Sequence, residues 1–525
     1  MKQHDIIFVS AEPYVDHPFS AVGILKRVLE DKGFSVGVIE HPNWKKDEDF
    51  LRLGKPNLFF AVSSGSMDSM LVNYTPMKKK RQESKFSKIS YKMPDRAVIV
   101  YCNMIRKLFK NSRIVIGGIE SSLRRFAHYD YWDNDVRKSI LLDSRADILV
   151  YGYGELQIIE IAKRIKEGRE IKGVEGTCIV SKEVPEYFEE LPSFGSVLKN
   201  KKEFCNMHNK LCANKNLAQK FDSRYVLQYK SMQYTQQDLD YIYSLDYSRK
   251  TPSDYPEFSI VEFSVLTHRG CFGNCNFCSI NANTGRQVIS RSINSILDEI
   301  KKIAKLPDFK GRIELSGATA NMYGMDCDKS LFCRENCIIC KKTAGHKKII
   351  SLLREARSVP GVKKVVIKSG VRYDLALKSQ DYIRDLVKYH IDHTLMIAPE
   401  HIDKKVQRLM NKESDVDKFI RLFRKISKEE NKQHELSFYI LVGHPGCSIE
   451  NSKELSRFIK KYRNTNFVQI FTPTPMTAST CMYYTGIDPK SMKKVYVPYT
   501  YNEKKRQKNI ALGVKSNSKA NIVIL

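Results

Sequence analysis

Strands and helices alternate along this chain in two separate series, and this alternation restricts the folds open to it more than any other feature. In the first series, apolar strands at residues 5–11, 34–42 and 58–65 are separated by helices and end near Gly, Ser or Pro. The second series begins near residue 256 and has six candidate strands, again with helices between them. Buried parallel strands joined by helical crossovers produce this pattern. The sequence therefore predicts an α/β protein.

Each series predicts a different architecture. The first is typical of a Rossmann or flavodoxin-like open sheet, and the six strand–helix units of the second predict a partial (β/α)6 TIM-like barrel. In both folds, functional residues collect at the carboxyl ends of the strands. The predicted parts are a Rossmann-like N-terminal domain at 1–180, a connecting segment at 181–255, a barrel at 256–490 with a Cys-rich insertion at 327–340, and a basic C-terminal tail at 491–525.

Composition narrows the class of protein. No run of eighteen apolar residues is present and the N-terminal apolar run is short, so we expect a cytoplasmic protein without a membrane segment. Thirteen cysteines without an export signal indicate reduced thiols or metal ligands rather than disulfides. The net charge of +29 favours a polyanionic partner such as nucleic acid, although solvated lysine faces also produce such a charge.

Three cysteines crowd the loop after the first strand of the second series. The stretch HRGCFGNCNFCSI spaces Cys271, Cys275 and Cys278 as C-x3-C-x2-C between glycines. Zinc would need a fourth ligand to complete its tetrahedron. Three thiolates on a 4Fe–4S cluster instead leave one iron without a protein ligand, and that iron can bind S-adenosylmethionine (SAM) for reductive cleavage. The spacing therefore predicts a 4Fe–4S cluster that binds SAM.

A second group of cysteines follows the second strand of the same series. Cys327, Cys333, Cys337 and Cys340 provide four thiols within fourteen residues. Four thiolates complete the coordination of either an auxiliary 4Fe–4S cluster or a structural zinc ion. The spacing does not decide between these two metals.

The first cysteine loop resembles that of the radical-SAM superfamily, which reads C-x3-C-x-aromatic-C. The resemblance implies that Phe277 packs on the adenine of SAM. It also implies that the end of the second strand meets the SAM amino group and that the end of the fifth lies near the adenine. Here those places are taken by Ser316, Gly317 and Thr319, without the acidic residue usual in the superfamily, and by Val442, Gly443 and Gly446.

Over nearly its whole length the chain is similar to the YgiQ-like branch of radical-SAM proteins. The similarity is carried by long segments of unusual composition, among them residues 14–44, 117–155, 318–325 and 473–489. It implies the cofactor chemistry of the superfamily without a settled substrate or reaction.

Other candidate residues lie at further strand ends. Arg372, after Lys368 and Ser369 at the third strand, is a candidate to hold the SAM carboxylate or a substrate anion, and a salt bridge at the rim of the barrel is the alternative role. Glu400 and His401 follow the fourth strand. Two roles are open for them, namely contact with SAM or substrate, or an ordinary structural role.

Cobalamin is not expected in the N-terminal domain. Cobalamin-binding domains of this shape carry D-x-H-x-x-G after the first strand, with the His on cobalt. Here Asp16 and His17 are adjacent and Gly23 comes six residues later, so the spacing departs from that pattern.

The predicted function is that of a radical-SAM enzyme with an unknown substrate and a low-potential electron donor of flavodoxin or ferredoxin type. Two alternatives stay open at this point. The charge and the second cysteine group favour an RNA-modifying enzyme, methylthiotransferase-like or methylating, and the cysteines alone would also suit a non-catalytic iron–sulfur sensing protein.

Overall fold

The computed structural model describes residues 3–81, 93–327, 337–340, 345–462 and 467–514. It divides the chain into two compact units. The first comprises Met1–Leu266, Ser279–Gly285 and Thr474–Met476, and the second comprises Thr267–Cys278, Arg286–Pro473 and Thr477–Leu525. Cys333 of the second cysteine group lies outside the described residues.

A nine-stranded sheet forms the centre of the first unit, with the strand order β2-β1-β3-β4-β7-β8-β11-β10-β9. Two further strands of this unit, β5 and β6, form a separate antiparallel pair. The last strand, β12, ends at Leu266, where the long segment of the first unit also ends. The strands are β1 (Ile6–Ser10), β2 (Val36–Glu40), β3 (Phe59–Ser63), β4 (Ile114–Gly117), β5 (His128–Asp130), β6 (Asp135–Arg137), β7 (Ile148–Val150), β8 (Thr177–Ser181), β9 (Glu189–Glu190), β10 (Leu217–Phe221), β11 (Arg224–Gln228) and β12 (Ser264–Leu266).

The first five strands of this order are all parallel. In β1 every residue is buried, and Ile6 aligns with Val36 on one side and Phe59 on the other. Burial on both faces explains the continuous apolar runs that the sequence shows there. The succession 2-1-3-4-7 corresponds to the 2-1-3-4-5 order of flavodoxin-like sheets. The prediction of an α/β fold is confirmed.

Residues 181–255 extend the first unit rather than only linking two domains. Their strands β9, β10 and β11 continue the nine-stranded sheet, where β11 pairs antiparallel with β8. Val226 and Leu227 of β11 are fully buried. These strands are short and interrupted by charged residues, and for that reason their periodicity did not identify them.

Helices flank this sheet. In α1, Ser20 caps the first turn by accepting the Gly23 N–H, and Val28 and Leu29 are buried. The helices of the unit are α1 (Ala21–Asp31), α2 (Asp47–Leu51), α3 (Ser69–Asn73), α4 (Ala97–Leu108), α5 (Gly118–Ser122), α6 (Ile140–Asp143), α7 (Glu155–Lys166), α8 (Phe194–Lys199), α9 (Lys201–Lys210), α10 (Gln236–Ser244) and α11 (Ile280–Thr284), with a 3₁₀ helix at Pro256–Val261.

An ionic core lies beside β4 in the first unit. The buried guanidinium of Arg124 pairs with Asp68, and its Nη1 also donates to the carbonyl oxygen of Glu120 at 3.3 Å. The Glu120 carboxylate accepts the backbone N–H groups of Ser69 and Val98. Burial raises the pKa of Glu120, and Asp68 raises it further, while Arg124 opposes both effects. The positive charge of Arg124 therefore lowers the free-energy cost of burying the Asp68 and Glu120 carboxylates.

The second unit contains two ladders of parallel strands. β15 pairs with β16, and β17, β18 and β19 form a second parallel ladder in that order. An isolated parallel bridge joins Val371, just beyond β16, to Ile397 of β17. The strands are β13 (His268–Arg269), β14 (Ile289–Ser290), β15 (Arg312–Ser316), β16 (Lys364–Ile367), β17 (Thr394–Glu400), β18 (Glu435–Val442) and β19 (Phe467–Ile470).

Helices alternate with these strands, as in the parallel crossovers that the sequence predicts. They are α12 (Ile293–Ala304), α13 (Lys347–Arg357), α14 (Tyr373–Ala376), α15 (Gln380–Asp385), α16 (Lys404–Leu409), α17 (Val416–Glu429), α18 (Ile449–Tyr462), α19 (Ala478–Thr485) and α20 (Tyr501–Leu512), with a 3₁₀ helix at Ala320–Met322 and a π-helical turn at Leu386–His390. No helix in the described ranges combines the length and the apolar character that crossing a lipid bilayer requires.

The first candidate strand of the second series, which the apolar pattern predicts at residues 259–270, is not continuous in the structure, so that prediction was wrong. The 3₁₀ helix Pro256–Val261 occupies its beginning, and β12 and β13 divide the rest. β13 turns to pair antiparallel with β14, aligning His268 with Ser290. The local apolar pattern could not reveal this change of partner, because it depends on a strand that comes twenty residues later.

Replacing Arg124 with Ala should destabilise the first unit by about 3–5 kcal/mol, because Asp68 and Glu120 would stay buried without their shared cation. The chain's two tryptophans, Trp44 and Trp132, both lie in this unit, so their fluorescence during urea denaturation of the full chain reports on it. The control is Lys107→Ala, which breaks an exposed pair with Asp47 and should cost no more than about 1 kcal/mol. Equal effects of the two substitutions would contradict this account of the ionic core.

Candidate functional site

The cysteine loop begins with a glycine that no other residue can replace without rearrangement. Gly270 follows β13 with φ +82°, and a Cβ atom there would overlap the carbonyl oxygen of Gln287. The chain then turns so that the Cys278 N–H donates to the Cys275 carbonyl at 3.0 Å, and the Gly273 N–H points at the Cys271 sulfur at 3.4 Å. One short loop therefore carries all three thiols.

A buried guanidinium lies against this loop. Nη1 of Arg372 is 3.5 Å from the sulfur of Cys275, and a Cβ atom on Gly273 would overlap Nη1. The Arg372 Nε donates to the carboxylate of Asp374, whose oxygens are both 3.0 Å away. Asn321 bonds the backbone N–H and carbonyl of Arg372. Arg372 is thus held in place and directed at a thiol.

The net effect of these neighbours is to keep Arg372 charged. Burial alone would lower the pKa of the guanidinium, but Asp374, Cys275 and Cys271 together raise it above its usual value. A cation fixed beside sulfur ligands compensates part of the negative charge that an iron–thiolate site carries. Arg372 is placed to balance such a charge, while its role in holding an anion stays a prediction.

A second cation, the largely buried Lys412, also lies near this loop. Its Nζ is 3.0 Å from Oε1 of Glu400 and 5.8 Å from the centroid of the Phe277 ring. Burial lowers the pKa of Lys412, yet the charges of Glu400 and Cys275 raise it overall. Lys412 was not a candidate in the sequence, since nothing distinguishes it there from the many surface lysines.

Glu400 has an unusual position at the end of β17. Its φ of +62° lies in the left-handed region, and the pairing of β17 with β18 shifts register between Ile397 and Glu400. Oε1 bonds Lys412, whereas Oε2 is buried and has no hydrogen-bond partner among the described residues. Burial raises the pKa of Glu400, although Lys412 and Arg372 oppose that effect. A buried carboxylate oxygen without a donor is a strong candidate to accept one from a ligand.

Of the three predicted residues at the end of β15, Thr319 lies against the first cysteine. The Thr319 hydroxyl is 3.6 Å from the Cys271 sulfur, and the Gly317 N–H donates to the Ser369 hydroxyl at 3.1 Å. The carbonyl of Ser316 accepts the N–H of Thr267 at 2.9 Å. The turn contains no carboxylate, as its sequence shows.

Gly317 also makes room for a buried histidine. A Cβ atom on Gly317 would overlap the imidazole of His268, which is fully buried. Burial lowers the pKa of His268 to about 4, so the ring is neutral at ordinary pH. His268 therefore packs the base of the cysteine loop.

The end of β18 is tied to the C-terminal part of the chain. Gly443, with φ +71°, donates its N–H to Oε1 of Gln507 at 2.9 Å, and Gly446, with φ +88°, donates to the Tyr496 carbonyl at 2.7 Å. Between them, the His444 ring lies edge-on to Phe277 at 6.4 Å. Val442 is fully buried in the strand itself. Phe277 and the loop after Val442 are thus neighbours in the structure.

The second cysteine group is only partly described. Cys327 is exposed, while Cys337 and Cys340 are partly buried. Cys337 packs against an apolar cluster that also contacts Cys271, so the two cysteine groups are neighbours. Nη2 of Arg286 is 3.7 Å from the Cys337 sulfur. The apolar cluster consists of Phe272, Val288, Met322, Met325 and Leu375.

No three His, Cys, Asp or Glu side chains among the described residues are placed around a common metal position. Assignment of a metal here therefore depends on the donor set and its charged neighbours. Three thiols of one loop beside two buried cations fit an anionic iron–sulfur cluster.

Asp16 and His17, in the first unit, have structural partners. Asp16 pairs with Arg27, and its carbonyl accepts the N–H of Arg249 at 3.0 Å. His17 is buried, with Nδ1 3.1 Å from the Phe19 N–H and Nε2 3.3 Å from the Glu262 carbonyl. Burial, reinforced by the charge of Arg249, lowers the pKa of His17 to about 3. Both ring nitrogens are engaged within the protein.

Two family models match the chain. Residues 1–266 match the model described as radical SAM N-terminal, and residues 265–459 match the model of the radical SAM superfamily. A UPF0313 protein of Methanocaldococcus jannaschii is 45% identical over 97% of this chain and 89% of its own length. A UPF0313 protein of Fusobacterium nucleatum is 40% identical over 98% of this chain and 97% of its own.

Two solved structures share the fold at low sequence identity. One is the radical SAM methyltransferase TsrM from Kitasatospora setae with cobalamin and a [4Fe–4S] cluster bound, with a TM-score of 0.55, 15% identity, and coverage of 92% of this chain and 79% of that one. The other is the cobalamin-dependent SAM radical enzyme OxsB, with a TM-score of 0.50, 12% identity, and coverage of 91% and 55%. These likenesses bear on the fold alone.

Gly270→Ala should prevent the cysteine loop from closing, because the added methyl group meets a backbone oxygen and the residue has a positive φ. We expect the variant, after anaerobic reconstitution, to contain about four fewer irons and four fewer acid-labile sulfides per chain than the wild type, whichever metal the second cysteine group holds. Gly345→Ala is the matched control, since a Cβ atom there meets nothing within 4 Å. Wild-type iron in the Gly270 variant would show that the loop does not hold the metal.

Proposed function

The chain belongs to the radical SAM superfamily and, within it, to the UPF0313 or YgiQ family, and on this premise we propose that it cleaves SAM at a 4Fe–4S cluster. In this proposal, Cys271, Cys275 and Cys278 hold the cluster. The observation that carries the proposal is the pair of buried cations, Arg372 and Lys412, beside the three-thiol loop. When bound, the cluster supplies the electron that splits SAM into methionine and a 5′-deoxyadenosyl radical, which takes a hydrogen atom from the substrate. The substrate is unknown.

The residues around the loop have separable tasks in this proposal. Arg372 and Lys412 compensate the negative charge of the thiolates, and the Asp374 carboxylate keeps Arg372 oriented. Phe277 and the turn at Val442 and Gly443 form the surface for the adenine. The parallel strands β15 to β19, with the strand preceding the cysteine loop, would form the partial (β/α)6 barrel that brings these parts together.

Glu400 is proposed to replace the acidic residue absent from the turn after β15. Its Oε2 is buried and lacks a donor, and Lys412 holds the other oxygen. A SAM ammonium group would supply the missing donor in a charge-assisted hydrogen bond. Ser316, Gly317 and Thr319 would then contribute neutral contacts only.

Cobalamin fits the first unit poorly through His17. To ligate cobalt, the imidazole would have to give up its contact with the Glu262 carbonyl or with the Phe19 N–H, both of which are buried. Although the two solved structures named above contain cobalamin, we propose that His17 and Asp16 have structural roles in this chain. No step of the proposed reaction depends on cobalamin.

The second cysteine group is proposed to hold a further metal, either an auxiliary 4Fe–4S cluster or zinc. Its proximity to Cys271 through the shared apolar cluster supports a function connected with the first site. Electrons would come from a flavodoxin- or ferredoxin-type donor, since reduction of such a cluster requires a low potential.

The direct test is SAM cleavage by anaerobically reconstituted full-length protein. We expect 5′-deoxyadenosine to form with dithionite even without substrate. Cys275→Ala should abolish its formation and remove the absorbance of one 4Fe–4S cluster. Cys212→Ala, at a scattered and partly buried cysteine of the first unit, should change neither. Metal analysis separates the remaining options. About four irons per chain indicate one cluster, about eight irons indicate two clusters, and about four irons with one zinc indicate a zinc site at the second cysteine group.

The alternative of a non-catalytic iron–sulfur sensor would be supported by a different result. In that result, protein with a full cluster forms no 5′-deoxyadenosine, and SAM does not change the EPR spectrum of the cluster. In that case Cys275→Ala would lower stability without any loss of turnover.

Glu400→Gln should weaken SAM binding about 10- to 100-fold, because a charge-assisted hydrogen bond is replaced by a neutral one. SAM titration of the reduced cluster, followed by EPR, measures this without relying on turnover. The double substitution Glu400→Gln/Lys412→Met removes both buried charges together and should show the same loss at unchanged iron content. The control is Glu413→Gln, at an exposed carboxylate paired with Arg408. Wild-type affinity in both Glu400 variants would rule out this role.

A further inference from the structure

We infer that residues 490–506 of the second unit, here named the basic–aromatic segment, bind single-stranded nucleic acid. The inference rests on the proposed function and deepens it, because it names the class of substrate on which the radical acts. The segment reads KSMKKVYVPYTYNEKKR and contains a single acidic residue.

Five cations of the segment face solvent. Lys490, Lys493 and Lys494 precede α20, and Lys505 and Arg506 lie within it, all exposed. None of the five makes an ion pair with any residue in the ranges that the structure describes. Elsewhere in this unit exposed basic residues often have partners, as with Arg408 and Glu413 or Lys453 and Glu450. Unpaired cations concentrated in one stretch favour a polyanion.

Aromatic rings are exposed among these cations. Tyr496 and Tyr499 are each 52% exposed and Tyr501 is 40% exposed. Tyr499 is kept in position by an edge-on contact with Tyr483, with ring centroids 5.3 Å apart. Rings presented next to lysines can stack on bases while the lysines contact phosphates. A duplex offers no unstacked bases to such rings, so the arrangement suits a single strand.

The same residues argue against a lipid surface as the partner. The aliphatic residues Val497 and Pro498 are buried, and the segment contains no Trp, Phe, Leu or Ile that could enter a bilayer. Its exposed apolar surface consists of the tyrosine rings and Met492. Membrane-binding segments instead present Trp, Phe or Leu opposite their basic face.

The segment is ordered before any partner binds. The Val495 N–H donates to the Gly486 carbonyl at 2.8 Å, and the Asp488 N–H donates to the Lys493 carbonyl at 2.9 Å, as in a short hairpin. Thr500 then caps α20 by accepting the Glu503 N–H. A fixed backbone reduces the entropic cost of binding, so a modest set of interactions is enough for affinity.

One hydrogen bond connects the segment to the strand ends that carry the cofactor residues. The Tyr496 carbonyl accepts the N–H of Gly446, which lies in the loop directly after β18. The carboxyl end of β18 also carries Val442 and Gly443, proposed above for the adenine. A strand of nucleic acid on the segment would therefore be held next to the place where the radical forms.

Fluorescence anisotropy of the full chain with a labelled oligouridine of about twenty nucleotides tests the inference, since this length exceeds a typical single-strand site. We expect Lys493→Gln/Lys494→Gln to weaken binding at least tenfold and to reduce the slope of log Kd against log salt by about 1.4, or ~0.7 for each phosphate that is no longer neutralised. Tyr496→Ala should weaken binding at least fivefold, whereas Tyr496→Phe, which keeps the ring, should stay within twofold. The matched control is Lys201→Gln/Lys202→Gln, at two exposed lysines of α9 in the first unit, and should also stay within twofold.

The inference is overturned if the wild-type chain does not bind the oligomer at low salt, or if the lysine pair at 201 and 202 matters as much as the pair at 493 and 494. It is also overturned if Tyr496→Ala binds like the wild type, because binding would then be electrostatic only. The same holds if a duplex or phosphatidylglycerol vesicles bind as tightly as the oligomer and are weakened by the same substitutions. SAM cleavage without substrate is measured on the same preparations. Retained cleavage by a wild-type chain that does not bind the oligomer would reject this inference and leave the proposed function intact.

Discussion

The approach of the Arg372 guanidinium to the Cys275 sulfur is the interaction on which the rest of the site depends. It is possible only because Gly273 has no side chain, and it is maintained because Asp374 and Asn321 hold Arg372 from the other side. Lys412 adds a second positive charge, which in turn requires the Glu400 carboxylate. The site is thus a set of buried charges that are stable only in combination, and changing one member alters the cost of burying the others.

This dependence explains which parts of the site the sequence could reveal. The three cysteines are predicted by spacing alone, since residues proposed to hold one metal cluster from a short loop must be close in sequence. Arg372 was a candidate because it follows a recognisable strand. Lys412 and Gln507 were not candidates because each comes from an element remote in sequence, and a lysine is not unusual in a chain with 88 lysines and arginines.

The fold shows a similar division. The strands of the parallel core, such as β1 and β3, are continuous apolar runs, and their class follows directly from burial on both faces. The short strands β9 to β11 lie toward one end of the sheet, and each carries charged residues that interrupt its apolar pattern. The likeness to enzymes that contain cobalamin, at low sequence identity, is a likeness of the backbone fold. In this chain the Asp16 side chain pairs with Arg27. The His17 side chain contacts Arg249 and the Glu262 carbonyl.

Gln507 links the order of synthesis to the assembly of the site. Its side chain accepts the Gly443 N–H and donates to the Cys447 carbonyl, so the turn after β18 takes its final form only when α20 has docked. A ribosome must translate more than sixty further residues after Gly443 before that bond can form. The cysteine loop is therefore made long before the turn that faces it is complete. The turn after β18 reaches its final form only when the C-terminal helix α20 has been translated and has docked.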